Sequence, residues 1–592
     1  MVSCGLVVSF DEYGLPPHRS AGVFSVRGEV TGLDGDQATL LLGRISLEVA
    51  DGPFAFPPTL ADGEDFEVTV RSPQAHVCAV ARGKGKIAGA DATDVSVTCI
   101  SRDPRLKALS VSVGPLSPAF DSGTLTYTVR ARLQSPVAAL LTTISVTATP
   151  TSPSARMSIG GLTLEPGTPS PAITIKGGTN ALDIAVVATD GSMLHYTVIV
   201  DGTDFDYVKP SDPAEDARFG TAVALSGATL AVTSRGTVYV FTRSGLTWSQ
   251  QALWKPPQPA IALALDGDTL VTGASNAPGV VVYTRVGTTW SPQPLDVGVP
   301  ALHSVALSGT TLAVGYYDFA TLSVSVRIFE RIGSTWIQHG AFAHEADEPP
   351  PGPPWAPALA LSGNTLVVGH SLERSAATGI DGDQNDKSFS GAGAAYVVGR
   401  SGTTWSMLAY LKASNTRAFA SFGASVAVSA DTVVVCAPGE GSNATGVGGD
   451  QTNESVLNAG AAYVFRPING KWSQEAYLKG ASLQGLRFGR AVAMLTDTVA
   501  VGAASPDGSG PGTATATPGA VYLFRRSVGV WMAGPRVVPP GVYKYDAEYG
   551  SSLAVASDLL VVGAPRDASR SKGINGDSTD ESLFGAGAVY LH

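Results

Sequence analysis

An apolar run closed by a small or turn-forming residue recurs seven times between residues 229 and 563. The copies are Thr229-Leu230-Ala231-Val232, Thr269-Leu270-Val271-Thr272-Gly273, Thr311-Leu312-Ala313-Val314-Gly315, Thr365-Leu366-Val367-Val368-Gly369, Thr432-Val433-Val434-Val435, Thr498-Val499-Ala500-Val501-Gly502 and Leu559-Leu560-Val561-Val562-Gly563. A shorter strand precedes each copy across a tight turn, as in Val223-Ala224-Leu225 before Ser226-Gly227. A third strand follows, as in Val238-Tyr239-Val240-Phe241 and Ala462-Tyr463-Val464-Phe465. A fourth often opens on tryptophan: Trp248, Trp290, Trp336, Trp405, Trp472 and Trp531 place six of the eight tryptophans there. Four antiparallel strands repeated seven times predict a seven-bladed β-propeller over 203–592, since a blade buries both faces only when neighbours stack around an axis. Phe205-Asp206-Tyr207-Val208-Lys209 repeats the pattern of the fourth-strand segments Ala409-Tyr410-Leu411-Lys412 and Ala476-Tyr477-Leu478-Lys479. It is therefore expected to pair beside Val589-Tyr590-Leu591 and complete the seventh blade, removing two free edges.

Composition agrees with an all-β chain. Gly 68 and Pro 39 supply turns, and charged residues make up only 15% of the 592 residues, against about 25% in ordinary globular domains. Disordered, coiled-coil and long-helix classes are excluded. A net charge of −11 argues against a general nucleic-acid partner, which needs a basic footprint. No apolar run approaches the roughly 18 residues of a membrane-spanning helix.

Ahead of the array, alternating runs such as Phe66-Glu67-Val68-Thr69-Val70 are separated by turn clusters such as Asp34-Gly35-Asp36. This pattern predicts a small β-sandwich over 22–101. Cys78 and Cys99 fall on two of its strands; a disulfide there would staple a small domain and needs an oxidising compartment, the alternative being two unlinked thiols. Cys436 lies in an apolar strand and reads as a buried, inert thiol. A second sandwich is expected over 102–202, from Leu106-Lys107-Ala108-Leu109-Ser110-Val111 through Tyr196-Thr197-Val198-Ile199-Val200. The fold class is thus all-β, a seven-bladed propeller preceded by two small sandwiches, with 1–21 as an N-terminal tether.

The segment 102–202 resembles the cadherin-like β-sandwich domain of bacterial surface proteins, which implies a spacer or adhesive module. The array carries Phe219-Gly220, Phe422-Gly423, Phe488-Gly489 and Tyr549-Gly550, with Cys436-Ala437-Pro438 and Gly563-Ala564-Pro565 after second strands. These motifs resemble the FG-GAP repeat of integrin α-subunit propellers in its bacterial form. The calcium loop of that family is not carried over, because the first two strands are joined here by short turns such as Ser308-Gly309-Thr310. Met1-Val2-Ser3-Cys4-Gly5 resembles the end of a bacterial lipoprotein signal. That implies lipidation of Cys4, with the true start codon upstream; the alternative is a chance likeness and an ordinary N-terminal thiol.

One acidic loop recurs between the second and third strands of blades four, five and seven. Its copies are Gly379-Ile380-Asp381-Gly382-Asp383-Gln384-Asn385-Asp386, Gly446-Val447-Gly448-Gly449-Asp450-Gln451-Thr452-Asn453-Glu454 and Gly573-Ile574-Asn575-Gly576-Asp577-Ser578-Thr579-Asp580-Glu581. Two readings stand side by side. Asp381, Asp383, Asp386, Asp450, Asn453, Glu454, Asn575, Asp577, Asp580 and Glu581 could bind calcium, the one cofactor the sequence suggests, with Asp383, Asp450 and Asp577 as leading ligands. Alternatively these side chains order their own loops by bonding local backbone. All three loops are expected on one face, since equivalent connections in a ring emerge together. His339, His344, Glu345, Asp347 and Glu348 form a second titratable group, read as a solvated loop before Pro349-Pro350-Pro351, the alternative being a metal site.

No nucleophile elbow, phosphate loop or zinc-protease helix occurs. The expected function is non-catalytic binding by an exported, monomeric protein of the bacterial outer membrane or cell surface. Its partner would be an extracellular protein or glycan, and it would touch the membrane only through a lipid anchor. The rivals are a propeller hydrolase or lyase acting on polysaccharide and a structural envelope component.

Overall fold

The computed structural model describes residues 22–132, 143–175, 178–203, 205–245, 247–274, 277–301, 304–318, 320–345, 356–504, 519–539 and 547–592. Cys4 and its tether lie outside them. Among the described residues all regular secondary structure is β. The chain divides into two compact units, passing from the first to the second at residues 202–203.

In the first unit, two four-stranded sheets face each other over residues 26–101. One runs Gly52–Ala55, Val26–Thr31, Ala92–Ser101, His76–Ala81; the other runs Ile45–Val49, Ala38–Leu42, Asp65–Arg71, Lys84–Lys86. Strict alternation sends Val95, Val97 and Cys99 inward against Leu40, Leu42, Phe66 and Val68. Cys78 stands directly opposite Cys99 in the antiparallel ladder. The two are joined by a disulfide across a sequence separation of 21, a constraint on the unfolded chain of about 3 kcal/mol.

The next sandwich has a five-stranded sheet in the order Thr126–Arg132, Met193–Thr203, Gly178–Val187, Arg156–Ile159, Leu162–Leu164. Leu106–Val111 and Val146–Pro150 pair separately. Its two largest buried tyrosines are anchored through their hydroxyls. Tyr196 donates to the Ser122 carbonyl and accepts from the Leu106 N–H, and Tyr127 donates to the Asp121 carbonyl. The sandwiches are tied together by Thr189, which bonds both backbone groups of Ser101, and by the Asp34 carboxylate, which accepts from Ser152 and Ser154.

Among its described residues the second unit forms seven antiparallel sheets. In blade one the order is Val223–Ser226, Thr229–Ser234, Thr237–Ser244, Thr247–Trp254, and blades two to six repeat it, blade five adding the short strand Gly446–Val447 outside its fourth. The first strand of each sheet packs on the first strand of the next, and that of the last sheet, Ser552–Val555, packs back on Val223–Ser226. The ring is closed. In the last sheet the outermost strand is Asp206–Val208, which pairs Asp206 with Leu591, Tyr207 with Tyr590 and Val208 with Val589.

The second strands explain the sequence repeat. Thr432–Ala437 is wholly buried, yet its side chains alternate between two cores. Val433 and Val435 join Val367, Ala395 and Val397 of blade four. Val434 and Cys436 join Val499, Val501 and Phe524 of blade six. Corresponding clusters fill the other blade junctions, the last joining Leu559, Val561, Val589 and Leu591 to Leu230, Val232 and Tyr239. Burial on both faces is why this strand reads as a continuous apolar run.

The Phe-Gly motif seats one blade on another. Phe219, Phe422 and Phe488 each wedge edge-on against two aromatics of the third strand of their own blade: Tyr239 and Phe241, Tyr463 and Phe465, Tyr522 and Phe524. The following glycine has no room for a side chain. At Gly423, with φ +89°, a Cβ would lie 2.2 Å from the Ala394 carbonyl oxygen. At the opposite ends of the blades, Ser226, Asp266, Ser308, Ser362 and Ser429 each accept an N–H from the first hairpin of the next blade, at 2.6 to 3.2 Å.

Gly423→Ala therefore has to shift backbone as well as adopt a strained φ. It should destabilise the propeller by more than about 1 kcal/mol, read as a lower denaturation midpoint, with the disulfide-bonded sandwich unaffected.

Candidate functional site

The three blades with acidic loops share a second feature. Each loop is preceded by an acid-x-Ser triplet: Glu373-Arg374-Ser375, Glu440-Gly441-Ser442 and Asp567-Ala568-Ser569. Each of these blades also has a fourth strand that runs into a lysine. Lys412 meets Glu373 at 2.6 Å, Lys479 meets Glu440 at 2.6 Å and Lys209 meets Asp567 at 3.2 Å, with every partner at most 2% exposed. The carboxylates gain further donors. Glu440 accepts from Tyr477 and the Ser442 N–H; Asp567 accepts from Tyr207, Tyr590 and the Ser569 N–H. Burial pushes all three lysines below their usual pKa, and the facing carboxylate opposes the shift. Burial raises the Tyr410 and Tyr477 hydroxyls, and the adjacent carboxylate adds to it.

These pairs hold the loop bases, and the loops then order themselves. Ser375 and Ser569 turn from the acid to donate to the Asp383 and Asp577 carbonyls, at 2.6 and 2.7 Å. The carboxylates of Asp383, Asp450 and Asp577 each accept the N–H two residues on, at 2.8 to 2.9 Å. Asp386, Asn453 and Asp580 do the same to Ser388, Ser455 and Ser582, and reach back to the N–H groups of Ala376, Asn443 and Arg570. Hydroxyl and backbone donors hold the Asp386, Asp450 and Asp577 carboxyls below their ordinary range. Asp381 and Asn575, both at positive φ, accept the Tyr410 and Tyr207 N–H groups of the outermost strands. Glu454 pairs with Arg417 at 2.9 Å, and Glu581 follows Asp580, half-buried. Among the described residues no three His, Cys, Asp or Glu side chains are grouped as metal ligands.

Each loop enters over the outer edge of its own blade. Ile380 bridges to Leu411, Val447 pairs with Leu478 and Ile574 bridges to Val208. The three loops are thus anchored on the outer rim rather than gathered at one axial mouth. The second titratable group differs from the sequence expectation. His339, His344 and Glu345 lie on the strand Thr335–Glu345, not in a loop, because the hairpin ladder with Ser323–Ile332 extends far enough to pair Glu345 with Ser323. Asp347, Glu348 and the prolines lie outside the described residues. His344 packs on Tyr396 at 4.6 Å and faces the buried His370 at 6.2 Å.

Between blades four and five the loops leave an open cleft of about 880 Å³, lined by Phe389, Ser414 to Ala418, Gly449 to Thr452, and Glu454. One wall is the crossover from the fourth strand of blade four; the other is the acidic loop of blade five. Arg417 spans them, donating to the Gln451 and Asn453 carbonyls at 3.0 and 3.1 Å. Asn415 donates to Glu440 and Gln451 and accepts the Tyr463 hydroxyl, so the cleft floor rests on the buried ion pair of blade five.

Residues 106–201 match the family described as Cadherin-like beta sandwich domain, and residues 405–465 match the family described as FG-GAP repeat. The chain thus carries a cadherin-like β-sandwich domain and an FG-GAP repeat within an all-β propeller. No curated protein matches the chain. A chain of the solved structure titled "Crystal Structure of Mitotic Checkpoint Complex" is similar over 65% of this chain and 92% of that one, at 12% identity and a TM-score of 0.38, too low to carry an argument. Among the described residues no helix is long and apolar enough to cross a membrane.

Two outcomes follow. Lys479→Met leaves Glu440 buried without its cation and should cost about 3–5 kcal/mol. Adding Glu440→Met should restore much of that in chemical denaturation. Burial and the nearby His344, Lys387 and Lys412 push His370 down to about 3. The unfolded chain therefore takes up this proton near pH 6.5 and the folded chain only near pH 3, so acidification through that window favours unfolding. His370→Gln should flatten the pH dependence of the propeller's melting temperature between those values.

Proposed function

We propose that the chain is a non-catalytic binding protein of the bacterial cell surface, in which the propeller presents the ligand-binding face. The domain types support an extracellular, adhesion-type role. The observation that carries the reading is the cleft between blades four and five: it is concave, polar and preformed, with both walls fixed by internal hydrogen bonds and a buried ion pair beneath. Preorganisation of this kind lowers the ordering cost of association. The partner would be an extracellular protein or glycan, with a lipid on Cys4 as the membrane attachment.

The carboxylates of the cleft favour binding over catalysis. A glycoside hydrolase needs one carboxyl raised to act as a general acid. Asp450 is instead held low by Thr452, and Glu454 is engaged by Arg417.

The full chain, immobilised, should bind extracellular proteins or surface glycans saturably. Arg417→Ala, which unties both walls, should weaken that binding at least about tenfold with the circular dichroism spectrum unchanged. Release of reducing sugar from a polysaccharide would replace this reading with the hydrolase one, and binding indifferent to Arg417→Ala would move the site elsewhere.

A further inference from the structure

We infer that the cleft between blades four and five takes a neutral glycan, with the Phe419 ring as its stacking platform. This rests on the binding role proposed above and gives it a ligand class and named residues.

The first observation is a residue that breaks the pattern of its repeat. The crossover ahead of each Phe-Gly motif has, three positions before the Phe, a residue at positive φ: Asp216 at +51°, Phe419 at +62° and Gly485 at +73°. The three are equivalent, since each donates its N–H to the matching carbonyl of the preceding loop: Phe584, Ser390 and Leu457, at 2.8 to 3.0 Å. Glycine and aspartate tolerate this left-handed conformation, whereas a bulky aromatic is strained in it. The Phe419 side chain gains no burial in return, being 72% exposed. A strained and exposed aromatic contributes nothing to the fold that glycine would not do better. Phe419 stands just outside the lining, between the lining residue Ala418 in the chain and, in space, Gly391, where a Cβ would lie 3.5 Å from the Phe419 ring; Gly391 is two residues beyond the lining Phe389.

The second observation is the chemistry of the lining. Only Phe389 and Ala418 among the lining side chains are apolar. Ser414 donates to Gln451 Oε1, which leaves the Gln451 Nε2 donor open. Thr452 occupies Asp450 Oδ1 through its N–H and hydroxyl, which leaves Oδ2 as an open acceptor. A pyranose ring matches this arrangement: hydroxyls at its edge pair with planar donors and acceptors, and its C–H face lies on an aromatic ring. A protein partner would instead call for an apolar, charge-poor centre. Arg417 is neutralised by Glu454, so Asp450 carries the unbalanced charge, which disfavours acidic sugars. The volume of about 880 Å³ lies within the roughly 300–1,000 Å³ of small-ligand clefts.

The test applies the full chain to an array of neutral and anionic oligosaccharides, followed by calorimetry with the best neutral binder. Neutral oligosaccharides should bind and anionic ones should not. Phe419→Gly should weaken binding at least tenfold while leaving the melting temperature equal or higher, an outcome that a structural role for Phe419 would reverse. Gln451→Ala should weaken binding in the same assay. Absence of neutral-glycan binding, or unchanged affinity in both variants, overturns the inference. If the chain then still captures an extracellular protein, the glycan class falls and the binding role stands; if nothing binds, both fall.

Discussion

The propeller depends on apolar strands that have no free face. Each second strand gives alternate side chains to the blade before it and the blade after it, so no sheet has a hydrophobic core of its own. A buried valine or leucine in such a position contributes about 1.5–3 kcal/mol, but only while both neighbours are present. The wedged phenylalanines, the glycines against the neighbouring carbonyls and the serine-capped hairpins fix the spacing that this shared packing needs. The pairing of Asp206–Val208 with the last blade gives the first and last sheets the neighbours they would otherwise lack.

Much of this was legible in the sequence because it obeys simple periods. Seven apolar runs, a tryptophan at the start of most fourth strands and a misplaced Tyr207 segment are enough to specify a closed ring. The strand-borne cysteines follow from alternation alone. The candidate site was less legible. The acidic loops were visible as composition, but composition does not say whether Asp383, Asp450 and Asp577 face an ion or their own backbone. The ion pairs beneath them were missed because a glutamate and a lysine 39 residues apart leave no local pattern. A signal was present: Tyr-x-Lys occurs in the fourth strands of the three blades that carry the loops. The strand holding His344 was also missed, since a polar run before prolines reads as a loop until its hairpin partner is known.

The buried pairs divide two tasks that a single loop could not combine. Loops on an outer rim are exposed, and exposed polar chain tends to fluctuate. A lysine and a carboxylate removed from water carry a desolvation cost, and their mutual attraction compensates for it only in one geometry. The requirement that makes the pair a poor source of net stability makes it a good gauge of position. Tyrosine hydroxyls and serine N–H groups complete the shell, and the loop above inherits the register.

The strand that closes the ring has a consequence for how the chain acquires its structure. Lys209 lies 358 residues from Asp567, and Tyr207 must find a partner in the final strand. A chain emerging from a ribosome or an export channel, amino end first, can complete its sandwiches early, including the Cys78–Cys99 bond. The propeller cannot follow suit. Its outermost closing strand stays unpaired until residues 588–591 arrive, and contacts of such long sequence separation form slowly. Until then the largest domain stays an open row of sheets, and the pairing of Asp206–Val208 with residues 589–591 converts that row into a ring.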